Sequence, residues 1–191
     1  MTSDVLEPVA MKGARVFSLH PVQTFPRQNS PHDQIVSMKG VTYGVEGPKG
    51  SRATARLLVR QLGGEILFIP KEAKILYHLA CVIASNYSVT LVGALESVAA
   101  KFTRKKIRPF RKLLETSLDN AIRMGAKKAL TGPIARGDSE IVSEHLNALQ
   151  DPELRMLYKS LGAYALKLAI EDERLKSDDI ARLEELLVTK R

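Results

Sequence analysis

The chain has 191 residues, 45% of them hydrophobic and 26% charged, with a formal net charge of +8 and one cysteine. That length suits one large domain or two small ones, and the composition is that of an ordered chain, which excludes a disordered tail or linker. Cys81 alone excludes an intramolecular disulfide or a thiolate zinc site and points to a reducing, cytoplasmic setting; neither a leader segment nor an 18-residue apolar stretch is expected, so membrane insertion is not.

In chain order, Arg15–Leu19, Val41–Val45 and Glu65–Ile69 are short apolar runs bounded by glycine, proline or polar residues and are predicted strands. Between the last two, Ala55, Leu58, Val59 and Leu62 recur with helical spacing over Ser51–Leu62, and Gly63-Gly64 stops the helix. A strand, a crossover helix and a strand make a right-handed parallel unit, here a piece of a doubly wound sheet. The pattern changes near Pro70. Helices are predicted over about 71–101, 106–124, 139–149, 153–172 and 178–190. The first is long and apolar enough to expect burial on several sides. The last is predicted to have Ser177 as its N-cap, and its stripe Ile180, Leu183, Leu186 and Leu187 is a packing surface or a subunit interface. The fold class is therefore a partial Rossmann-like α/β sheet, residues 1–70, followed by an all-α helical domain, residues 71–191.

Only Gly44-Val-Glu-Gly47-Pro-Lys-Gly50-Ser51 is glycine-rich between strand and helix, and it meets neither the dinucleotide fingerprint nor the P-loop spacing. On the long predicted helix, at about 100° per residue, Lys74, His78 and Ser85 fall within about 40° of one another, with Asn86 beside them. His78 is the candidate acid and base, Lys74 a stabiliser of developing negative charge and Asn86 a substrate-orienting amide; the competing reading is a hydrogen-bonded core histidine. His20, Gln23 and Thr24 follow a strand, where open α/β sheets hold ligands, unless His20-Pro21 simply turns the chain. In the loop Thr131-Gly-Pro-Ile-Ala-Arg-Gly-Asp138, Thr131, Gly132 and Arg136 are binding candidates, Arg136 holding an anion or pairing with a neighbouring acid, and Asp138 caps the next helix. The four histidines are scattered, so no metal is expected. Seven cations within Lys101–Lys112 suit a solvated face better than a nucleic-acid site.

Four segments carry a resemblance: Ser18–Phe25, Leu76–Tyr87, Ala129–Asp138 and Tyr158–Tyr164. Over residues 2 to 171 the chain resembles the family in which a Rossmann-like NAD(P)-binding domain precedes a conserved helical domain of unknown function, similar to the C-terminal domains of 6-phosphogluconate and β-hydroxyacid dehydrogenases. The resemblance implies a bilobed homodimer, associating through the helical domain, whose cleft holds NADP or NAD and a small substrate, either carbonyl/hydroxy or imine/amine. Family members carry the glycine-rich fingerprint upstream of the segment matching residue 2. The expectation is thus a truncated or split oxidoreductase-like protein, completed by a separate dinucleotide-binding chain, or a non-catalytic dimeric assembly protein; a basic nucleic-acid binder is a third reading.

Overall fold

A 3-10 turn over Ser3–Leu6 runs into α1 (Glu7–Ala10), followed by β1 (Ser18–Pro21), α2 (Pro31–Ser37), β2 (Thr42–Glu46), α3 (Arg52–Gln61) and β3 (Glu65–Phe68) in the computed structural model, which describes residues 2–188. The sheet order is β1-β2-β3. β2 and β3 are parallel, Tyr43 opposite Ile66, so the expected strand–helix–strand unit is present; β1 is antiparallel, Leu19 opposite Val45, which makes the sheet mixed. β1 lies toward the C-terminal side of the predicted strand because pairing continues through Pro21, which an edge strand tolerates. Both α1 and α2 escape sequence reading: one is a single turn, and the other is a short helix capped by Ser30, whose hydroxyl accepts from the Asp33 amide at 3.1 Å.

Tyr43 and Val41 pack against Val59 of α3, with Leu19, Met38 and Ile66 around them. Ala55 and Val59 are buried as predicted, but Leu58 and Leu62 stay exposed, because a three-stranded sheet is too narrow to cover the whole stripe. On the other side of β2, buried Glu46 accepts from the Ser3 amide and hydroxyl, both at 2.8 Å, and lies 4.0 Å from the Lys74 ammonium, which donates to Ser18 Oγ at 2.7 Å. Charges this deep persist only when paired and hydrogen-bonded.

After a 3-10 turn, α4 (Lys74–Val82) passes through a π-helical turn over Ile83–Tyr87 into α5 (Ser88–Ala99). Two expectations about this segment fail. Over Lys71–Ala99 it is long and apolar enough to cross a membrane by length and composition, and none of its most apolar 18-residue stretch is buried, so neither the absence of such a stretch nor burial on several sides holds. The reason is that the apolar residues spread around the helix while the sheet takes one side, leaving Leu76, Ile83 and Val89 exposed. The chain divides into two compact units between Gly93 and Ala94, inside α5.

The second unit continues with α6 (Arg111–Met124), α7 (Ala126–Ala129), α8 (Pro133–Arg136), α9 (Ser139–Ala148), α10 (Pro152–Glu171) and α11 (Ser177–Leu187). Its core joins Val142 and Leu146 of α9, Leu166 of α10, and Leu183 and Leu187 of α11. Gly162 lets α10 and α11 approach closely: a Cβ there would lie 2.6 Å from Leu187. Leu183 and Leu187 are thus spent within the unit and are not a subunit interface. Ser177 is the first helical residue and makes no cap hydrogen bond, so it is not the predicted N-cap; positions 189–190 of that predicted helix lie outside the described residues.

Candidate functional site

The end of β1 and the face of the α4–π segment enclose a cavity of about 430 Å³. His20, Gln23, His78, Ser85 and Asn86 line it, together with Val22, Thr24, Cys81, Val82 and Ala84. Six residues singled out as site candidates, Thr24 included, are therefore gathered in one concave surface. Lys74 is not among the lining side chains: it is turned into the Glu46–Ser18 cluster and is only 7% exposed.

His78 is exposed and has no hydrogen-bond partner among the described residues, which removes the reading of a satisfied core histidine. His20 is held instead. Its Nδ1 lies 2.7 Å from Tyr77 Oη, with the rings edge to face at 5.7 Å. Burial, then the charge of Lys74 and then that of His78, hold the His20 ring below the usual histidine range. Burial, then Cys81, push the Tyr77 phenol up to about 12. A protonated phenol beside a neutral ring donates to Nδ1, so His20 carries its proton on Nε2.

Gly44 makes room for this pair, since a Cβ there would lie 2.3 Å from Tyr77 Oη. Gln23 is committed at both ends, donating to the Ser37 carbonyl at 3.0 Å and accepting from the Thr24 amide at 2.8 Å, and so fixes the rim loop to α2. Ser85 Oγ is within 2.8 Å of the Cys81 carbonyl and 2.9 Å of Asn86 Oδ1. Both residues sit in the π-helical turn, a widened turn of the kind that recurs at functional sites. Tyr77 lies on the predicted long helix, but no spacing in the sequence ties it to His20, which reaches it from β1.

In the second unit, Gly132 adopts φ +95° before the short helix α8, and Thr131 and Arg136 are exposed. Arg136 makes no ion pair among the described residues, so its guanidinium is available to an anion. Arg174 anchors the loop by donating to the Leu130 carbonyl at 2.8 Å and to that of Lys127, a contact without any signal in the sequence. Asp138 caps α9 by accepting from the Ile141 amide at 3.2 Å. Within Lys101–Lys112, Phe102 and Phe110 pack edge to face at 6.2 Å and Arg111 pairs with Glu115 at 2.7 Å.

A dinucleotide rests its pyrophosphate on open glycine backbone between strand and helix. Here the space beside Gly47 is filled by protein, a Cβ there lying 2.8 Å from the Cβ of Phe17, and Ser51 Oγ is spent on the Val16 carbonyl at 2.9 Å. Gly50 stands open, but with Gly47 and Ser51 taken the described residues of this turn leave no run of open glycine backbone for a pyrophosphate.

Residues 41–165 match the family described as Domain of unknown function (DUF2520). Among solved structures, protein TM1727 from Thermotoga maritima is similar at 24% identity and a TM-score of 0.73, over 91% of this chain and 67% of that one. A candidate NADP oxidoreductase from Bacteroides fragilis, BF3122, is similar at 20% identity and a TM-score of 0.72, over 87% of this chain. The chain spans 62% of that protein's length. These likenesses establish the fold, an α/β part followed by helices. No curated protein matches the chain.

Proposed function

The chain belongs to the DUF2520 family, and from that premise we propose that it supplies the substrate side of an NAD(P)-dependent oxidoreductase acting on a small carbonyl/hydroxy or imine/amine compound. The observation that carries this reading is an exposed, unpartnered histidine in a concave site beside a second histidine whose tautomer is set. Oxidoreduction of such a compound needs a proton at the heteroatom, and His78 gives it in reduction and takes it in oxidation. His20 presents Nε2–H as a neutral donor, while Ser85 and Asn86 offer hydrogen bonds that orient the substrate. Lys74 acts from behind, holding the sheet and α4 in register. Thr131, Gly132 and Arg136 form an anion-binding loop. NADP, the cofactor in the name of the Bacteroides protein, is the nicotinamide carrier this reading favours. Because the turn after β2 leaves no run of open glycine backbone, a separate dinucleotide-binding chain supplies its site.

The test is turnover of NADPH and NADH with a panel of small carbonyls and imines by the protein purified together with any chain that binds it, compared with His78→Gln prepared in the same way. Turnover in the variant is expected to fall about 100-fold, with stability unchanged within about 0.5 kcal/mol because the side chain is exposed and unpaired. Equal turnover would remove His78 from the chemistry.

A homodimer is the partner reading favoured by the uncovered apolar face of Lys71–Ala99 and by exposed Ile122 on α6. Since that same helix carries His78, Ser85 and Asn86 to a water-accessible cavity, a second copy is a better cover for its apolar side than lipid.

A further inference from the structure

A second cavity, of about 760 Å³, lies wholly within the second unit, between the end of α5 and the connection from α9 to α10. It shares no residue with the cavity around His78. Its walls are largely apolar, through Val98, Phe102, Leu149 and Leu154. A volume and lining of this kind are those of small-molecule sites, where a few placed polar groups fix the ligand's orientation.

Three polar groups decide what could enter. Lys101 lines the cavity, and its ammonium makes no ion pair or hydrogen bond among the described residues. His145 Nδ1 lies 2.9 Å from Tyr158 Oη, the rings edge to face at 5.7 Å. Burial holds the Tyr158 phenol above the usual tyrosine range, hence protonated and able to donate to Nδ1. Nε2 of His145 then carries a proton for a ligand acceptor. The one acid on the lining, Asp151, is occupied: its Oδ1 caps α10, accepting from the Glu153 and Leu154 amides at 2.8 and 3.2 Å. Of the two charges on the lining, the Asp151 carboxylate is held at the start of α10 and the Lys101 ammonium is the one without a partner.

We infer that this cavity binds a small amphipathic anion, an aromatic or short-chain carboxylate, with its apolar body against Phe102, Leu149 and Leu154 and its carboxylate at Lys101. The His145–Tyr158 pair donates to a further acceptor on the ligand.

The experiment is calorimetric titration of the whole protein with 3-phenylpropionate and, in parallel, its neutral amide. Saturable binding of the acid is expected, weakened about fivefold by Lys101→Met, the scale of one exposed charge pair, and weakened by added salt. The amide binds with an affinity that neither change alters. Ala148→Phe fills the cavity from an exposed helix position and abolishes binding of both while leaving the circular dichroism spectrum unchanged. Equal affinity for acid and amide, or indifference to Ala148→Phe, overturns the inference. So does an acid affinity that falls as protein concentration rises, which would mean that a second copy fills the cavity.

Discussion

Tyr77 gives His20 a chemical identity that a histidine after a strand does not have by itself. Burial holds the ring below the usual histidine range, the charges of Lys74 and then His78 add to this, and the phenol occupies Nδ1. The folded-state pKa is lowered, so between that value and the unfolded one, about 6.5, the unfolded chain binds more protons. Stability contributed here is complete above the unfolded value and declines as pH falls toward the folded one. His20→Asn should therefore flatten the acid side of a stability–pH profile measured by urea unfolding at pH 5 to 8; an unchanged profile would separate His20 from its inferred state. The candidate residues on the long helix were legible in the sequence because helical phase is simple arithmetic. Lys74 satisfied the same arithmetic, yet its flexible stem carries the ammonium to Glu46, and a phase angle cannot show where a four-carbon chain finds its partner.

At the level of elements, the end of α3 shows how directly local chemistry can specify structure. Gly63 takes φ +67°, its amide donates to the Arg60 carbonyl at 3.0 Å, and the Gly64 amide donates to that of Val59 at 3.1 Å. That is a Schellman cap, and Gly63→Ala should cost about 1 kcal/mol in urea unfolding, since an L side chain is strained there. Gly64 has another role, because a Cβ would lie 2.5 Å from the Tyr43 ring. The stop signal was readable from Gly63-Gly64. The partner of the second glycine was not, because it lies on another strand. Strand–helix–strand order, the helices α9 and α10 and the Asp138 cap were similarly legible, each resting on residues within a few positions of one another. The antiparallel β1 and the π-helical turn were not, since both are decided by tertiary pairing.

For the whole molecule the telling quantity is exposed area. The chain leaves 14244 Å² accessible. Even two separate compact domains of half its mass would together expose about 11,000 Å². The surplus exceeds the roughly 800 Å² that each partner buries in a standard interface. If a second copy takes it up, light scattering should report a dimer, and the double variant Val89→Glu, Ile122→Glu, at positions 72% and 84% exposed, should shift the mass to a monomer. A protein that is monomeric at all concentrations tested would reject the dimer.

The π-helical turn over Ile83–Tyr87 has one consequence for length. Such a turn accommodates one residue more than an α-helix needs while leaving the flanking helices in phase. A chain shortened by one residue there, for example by removal of Ala84, should close into continuous α-helix with its thermal midpoint little changed. What it would lose is the outward step that presents Ser85 and Asn86 to the cavity. A gap at this point in a related sequence would then mark a protein that keeps the architecture and recognises something else.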